Sequence, residues 1–261
     1  MSTHRPARGA ADDTGPRRVE ATPRVGSSGK AWRRRRSRWP TQAWWVFRKD
    51  LQVELRRGEV VTTSGFFAVL VVVIGSLSFY GGPDASVQVA PGVIWVAIAF
   101  SSVLALSRTW QREREHDALS GLLALPLSRS AVFAGKALGV AGFIAVIEVL
   151  VVLPTLLMFD IAPGPVAGGL LLLCATATPG IAAAGTLFGA MTVRTEARDL
   201  VLAVVLFPLL APTLLAAVAG TRELFLAPGR AQLGDYVTLM AVFGVVFISG
   251  GIGLFGSLIE G

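Results

Sequence analysis

The sequence has little of what most enzyme chemistry needs. Its 261 residues include one cysteine and two histidines. With Cys174 alone, an intrachain disulfide and the C-x-x-C-H haem-attachment motif are both excluded. Cys174 lies in an apolar run, where a small buried side chain is the expected role. His4 falls in a polar amino-terminal stretch, and His116 stands between Glu115 and Asp117, as a solvated loop histidine does. Metal-ligand spacing is absent, and no catalytic pair of carboxylates on a rigid helix is evident. Neither a catalytic centre nor a metal site is expected. Charge is also scarce: 16% of residues are charged, against about 25% in soluble domains.

What takes the place of charge is apolar sequence, 53% of the chain, with a mean hydropathy of +0.62. It comes in long uncharged blocks. A bilayer core about 30 Å thick needs about 20 apolar residues of helix, at about 1.5 Å rise each. Six blocks meet that length, predicting spans over residues 62–80, 89–107, 131–159, 166–191, 200–219 and 236–259. The expected fold is an all-α integral membrane bundle of six transmembrane helices. Pro154 predicts a tilt or break in the third span, and Pro179, Pro208 and Pro212 interrupt the fourth and fifth. A proline frees a backbone carbonyl that lipid cannot satisfy, so such helices are expected against protein or a cavity. Gly135 with Gly139, and Gly185 with Gly189, have the spacing that lets helices approach closely, a weak signal in glycine-rich spans.

The net charge of +7 and the sequence pI of about 10.7 are compatible with nucleic acid, but the location of the charge argues for membrane lipids. Arg33, Arg34, Arg35, Arg36 and Arg38 crowd the stretch just before the hydrophobic part. Anionic headgroups attract such a cluster, and positive flanks mark that side as cytoplasmic. Basic residues recur in the stretches 108–129 and 194–198, whereas the loops around Asp84 and Asp160 have none. Alternation then leaves both termini cytoplasmic. Residues 1–40 lack apolar periodicity and are expected to be a disordered, Arg-rich tail, with residues 41–261 forming the membrane domain. Within the tail, Gly26 to Ala31 superficially resembles a phosphate loop but lacks its spacing and its strand–helix context. A cleavable signal peptide is not expected, because the first apolar block begins so far into the chain.

Between tail and spans, residues 43–57 have another pattern. Trp44, Phe47, Leu51 and Leu55 recur at helical spacing, with Arg48, Lys49, Gln52 and Arg56 elsewhere on the wheel. This predicts an amphipathic helix lying in the membrane interface. Two further features stand out. Glu148 is the one ionisable residue well inside a predicted span, where it is expected to face a partner helix or a wet cavity, as a neutral hydrogen-bonded carboxyl that fixes packing, as a polar contact in the translocation interface, or in a proton-coupled role. Lys136, near the start of the same span, is expected to snorkel to the interface. The charged run Gln111 to Asp117 leads into Ala118 to Ser128, predicting a short knuckle between spans. Its charges would set register on a soluble partner and its leucines would bury there. Leu119-Ser120-Gly121 echoes an ATPase signature, but no nucleotide-binding domain surrounds it.

Three stretches together resemble the CcmB-like haem-exporter permeases of cytochrome c maturation: Val46 to Arg57, Ala90-Pro91-Gly92-Val93-Ile94-Trp95, and Arg108 to Lys136. The resemblance covers most of Trp44 to Glu260. The Ala-Pro-Gly-Val-Ile-Trp run is its most specific part, and Leu125-Pro126-Leu127-Ser128 is shared with the wider ABC-2-type permease superfamily. It implies a permease fold working with a separate cytoplasmic ABC ATPase that binds ATP, so that this chain is not itself an enzyme. It implies a place in the inner membrane, a homodimer, haem as cargo with no covalently bound cofactor, and association with a haem chaperone and other maturation proteins. The ATPase-coupling residues would be Glu113, Glu115, His116, Asp117, Leu119, Leu122 and Leu123. Here His116-Asp117-Ala118-Leu119 departs from the family's acidic-Gly-Ser/Thr-Leu pattern. The alternatives are an ABC-2-type exporter of a drug, lipid or polysaccharide, or a non-transporting scaffold for an assembly complex.

Overall fold

Glycine in the left-handed region opens the membrane part of the structure, a computed structural model that describes residues 38–79, 83–115, 127–192 and 198–260. Helix α1 spans Trp39–Arg57 and α2 spans Glu59–Ser78. The single residue between them, Gly58, has φ 64°, a conformation that only glycine adopts without a Cβ penalty. The chain therefore turns sharply from α1 into α2. Glu54 secures the corner from within: its Oε1 accepts the Val61 N–H at 2.9 Å, satisfying one of the orphan donors of the α2 amino terminus.

Five more helices follow: α3 over Pro83–Glu115, α4 over Arg129–Met158, α5 over Pro163–Thr192, α6 over Arg198–Leu226 and α7 over Gly234–Glu260. Every regular element among the described residues is a helix, and six of the seven, α2 to α7, are long and apolar enough to cross a membrane. The chain is an all-α multi-pass membrane protein. Contacts fix the helix directions. Leu106 and Trp110 of α3 meet Gly185 and Gly189 of α5 in the same order, so α3 and α5 run parallel. Near the other end of α3, Trp95 Nε1 donates to Thr221 Oγ1, late in α6, at 2.8 Å. At the α1 end, an Arg129 guanidinium nitrogen lies 3.4 Å from the Gly256 carbonyl oxygen, joining the start of α4 to the end of α7.

Helix α3 is the most enclosed of the spans and α7 the least. Trp95, Trp110, Ile94, Ile98 and Leu106 of α3 are all buried. Within lipid, apolar burial gives little drive for association, so close backbone approach and buried hydrogen bonds hold helices together. Both Gly-x-x-x-Gly pairs serve this purpose. Gly135 and Gly139 receive α1, and Gly185 and Gly189 receive α3. A third crossing joins α5 to α7, where a Cβ on Gly180 would lie 3.3 Å from the Gly244 Cα.

The helices differ from the sequence expectations mainly at their ends. Helix α1 starts at Trp39 rather than residue 43, with Pro40 in its first turn, where a missing N–H costs nothing. The second span does not stop at Arg108; α3 continues without interruption to Glu115. Pro154 does not break α4, which runs on to Met158. Helix α6 extends to Leu226, through much of the expected loop at 220–235. The expected disordered tail lies outside the described residues up to position 37, and Trp39 and Pro40 belong to α1.

Candidate functional site: a buried charge cluster at the end of α3

The continuation of α3 past its apolar part brings Glu113 against α1 and α4. Glu113 Oε1 lies 2.7 Å from Lys136 Nζ of α4 and 3.3 Å from Lys49 Nζ of α1. Asp50 of α1 closes the group, 3.1 Å from Lys49 and 3.6 Å from Lys136. Two cations and two anions balance. The side chain of Lys136 is 2% exposed and that of Glu113 is 9% exposed, so neither charge is borne by bulk water. Trp110, one turn before Glu113, places its ring 5.5 Å from the Lys136 ammonium, within the range of a cation–π contact. Trp110 in turn occupies the space left by the missing side chain of Gly189.

The electrostatics follow from this geometry. Burial by itself pushes the Glu113 carboxyl up, but Lys136 and Lys49 together outweigh it and hold the group below its ordinary 4.5. Burial pushes Lys49 down, and Asp50 and then Glu113 overcome that, holding it above 10.5. Glu113 and Lys49 are therefore each held in the charged form by their neighbours.

This arrangement changes the reading of two residues. Lys136 does not snorkel to the interface; it turns inward and is enclosed by three helices. Glu113 also faces inward, as the counter-ion of Lys136, and does not project toward a soluble partner. Glu115 is the last residue of α3, but its side chain lies outside the described residues, as do His116, Asp117, Leu119, Leu122 and Leu123. The sequence placed Lys49 only on the polar side of the amphipathic helix, and Asp50 and Trp110 were not singled out. A lysine more than one turn inside a predicted span was the available signal, since a buried ammonium requires a counter-ion.

Helix α1 is bound along one face. Gln42, Ala43, Val46 and Glu54 are buried. Gln42 Oε1 accepts the Ser128 N–H at 2.9 Å and lies 3.1 Å from the Ser128 Oγ, capping α4 from a distance. The amphipathic face is turned the other way: Trp44 is 56% and Leu55 77% exposed, while Phe47 and Leu51 are half-buried.

Deeper in the bundle, Glu148 is buried and its Oε1 accepts a hydrogen bond from Thr178 Oγ1 of α5. The same hydroxyl lies 2.8 Å from the Cys174 carbonyl oxygen. Glu148 thus joins α4 to α5 as a partnered polar group. Among the described residues no cluster of histidine, cysteine and carboxylate side chains could hold a metal ion.

The family model described as CcmB protein matches residues 41–249. This stretch includes most of α1 and all of α2 to α6. The chain belongs to the CcmB family. It is 34% identical over 93 residues to heme exporter protein B of Escherichia coli K12, a match covering 36% of this chain and 42% of that relative. To heme exporter protein B of Paracoccus denitrificans it is 27% identical over 180 residues, covering 67% and 80%. The match to the Rhodobacter capsulatus protein of that name is 27% over 173 residues, covering 64% and 76%. In this CcmB chain the charge cluster and the Glu148–Thr178 contact both fall inside the family-matched stretch.

Proposed function

We propose that this chain is the membrane permease subunit of an ABC transporter complex serving haem export, or the release of a haem chaperone, in c-type cytochrome maturation. The observation that supports this most directly is the CcmB match, which runs from α1 into α7 and so takes in the first five spans whole. Haem is the cargo in this reading, and ATP is bound and hydrolysed by a separate cytoplasmic ATPase chain. The protein sits in the inner membrane as a homodimer with both termini cytoplasmic, beside other maturation proteins and the haem chaperone.

The ATPase docks on the segment between α3 and α4. Glu115, His116, Asp117, Leu119, Leu122 and Leu123 make the contact. Glu113 has a different part: buried at the root of that segment, it ties the end of α3 to α1 and α4, so displacement of the knuckle is passed to both. The nucleotide states of the ATPase must bind the knuckle differently for this to do work. Substituting Leu122→Asp together with Leu123→Asp should abolish co-purification of the ATPase without reducing the amount of this chain in the membrane.

The test of the whole reading is a haem stain of membrane proteins on a denaturing gel, from a strain lacking this chain. Covalently attached haem survives the gel. Loss of the c-type cytochrome bands, restored by complementation, is the expected result. Bands that persist unchanged would redirect the assignment to an exporter of another cargo.

A further inference from the structure

The outward side of α1 sorts its charges. Both acidic residues of the helix are used inside the protein: Asp50 pairs with Lys49 and Lys136, and Glu54 holds the Val61 N–H. The cations left outside are Arg48, Arg56 and Arg57, all exposed, and none of the three has an ion-pair partner among the described residues. Arg48, Gln52 and Arg56 follow one another at four-residue intervals, so they share one strip of the helix surface. Trp45, 55% exposed, precedes Arg48 by three residues and adds an indole N–H at the head of the same strip. A line of hydrogen-bond donors with two guanidinium groups and no carboxylate is suited to phosphate, which arginine binds in bidentate fashion.

The neighbouring sector of the helix decides where that phosphate comes from. Next to the strip, Trp44 and Leu55 present exposed apolar side chains. A free phosphate has nothing to offer them, whereas an acyl chain does. We propose that the outer face of α1 is a binding surface for an anionic phospholipid, with the headgroup phosphate on Arg48 and Arg56 and the tail along Trp44 and Leu55. The inner face of the same helix is ion-paired to the end of α3. The bound lipid therefore braces the wall on which Glu113 rests. This proposal does not depend on the cargo.

The test uses the full chain in phosphatidylcholine nanodiscs containing a minor fraction of brominated-chain lipid, with tryptophan fluorescence as the readout. Brominated phosphatidylglycerol should quench more strongly than brominated phosphatidylcholine at equal mole fraction, and raised salt should shrink the difference. Each arginine contributes about a five-fold preference near an anionic surface, so the R48Q/R56Q variant should lose most of it. Equal quenching by the two lipids in the native chain overturns the proposal. So does full retention of the preference in R48Q/R56Q, which would place it on the basic residues before α1. Thermal unfolding of the variant in detergent, expected to match the native chain because both side chains are exposed, separates loss of the surface from loss of the fold.

Discussion

Lys136 and Glu113 are separated by 2.7 Å between helices α4 and α3, almost wholly out of water. Removing one partner of such a pair leaves an uncompensated buried charge, at a cost of about 3–5 kcal/mol. Removing both is different here, because Lys49 and Asp50 remain 3.1 Å apart and neutralise each other. Lys136→Met alone leaves two anions against Lys49, and Glu113→Gln alone leaves two cations against Asp50. Both single variants should lower the thermal midpoint in detergent and the amount of chain in the membrane. The E113Q/K136M double variant should recover most of the loss. Additive losses in the double variant would show that the two residues act independently. If the cluster also passes motion from knuckle to bundle, the double variant will be abundant yet deficient in cytochrome haem.

The same cluster sets a pH window. The Glu113 carboxyl is held below its ordinary 4.5, so its contribution is present above that value and is lost as pH falls through the depressed pKa. Lys49, held above 10.5, contributes below that value and loses its contribution as pH rises through the raised pKa. Stability from the cluster should therefore be level across neutral pH and decline at both extremes. Thermal unfolding followed against pH should show the acid decline in the native chain and a shallower one in E113Q/K136M, which lacks the Glu113 titration.

Glycine at position 135 is needed for α1 to lie against α4. A Cβ there would come within 2.6 Å of the Val46 Cβ and closer still to the Ala43 carbonyl oxygen. Backbone cannot rotate away, so Gly135→Ala should cost about 1–3 kcal/mol through overpacking. Gly142 on the same helix is the control: the nearest atom to its added Cβ is the Phe47 ring, at 3.9 Å. Gly142→Ala should leave the midpoint unchanged or raise it. Equal effects of the two substitutions would mean that helix propensity, not the α1 contact, governs both.

The spans were legible because a bilayer imposes a length on apolar sequence, and no tertiary knowledge is needed to count about 20 uncharged residues. Their ends were not, because the edge of the lipid does not stop a helix. Arg108 marks where α3 leaves the apolar zone, yet its backbone ladder continues to Glu115. The α1 periodicity put Trp44, Phe47, Leu51 and Leu55 on one face, of which Trp44 and Leu55 are exposed and Phe47 and Leu51 half-buried, but the inward face includes Gln42, Asp50 and Glu54, whose partners lie outside α1. Lys49 and Glu113 are 64 residues apart, and nothing local in the sequence states that α1 and α3 are neighbours. Glu148 could be recognised by position alone, as a carboxyl inside a span; its partner Thr178 could not.

The Thr178 hydroxyl has one hydrogen and lies within bonding reach of two acceptors, Glu148 Oε1 and the Cys174 carbonyl oxygen. The hydroxyl donates to Glu148 Oε1, and a glutamine at 148 keeps an amide oxygen of the same reach that accepts it. Glu148→Gln should therefore preserve the thermal midpoint and, with it, the cytochrome haem bands. Glu148→Asp, one methylene shorter, should withdraw from Thr178 and cost about 1–3 kcal/mol as a buried polar group left unpaired. Full stability of the glutamine variant with loss of the haem bands would reverse the conclusion: the carboxyl would then be needed for a change of protonation during turnover, and its contact with Thr178 would be one state of a working cycle, not a fixed joint between α4 and α5.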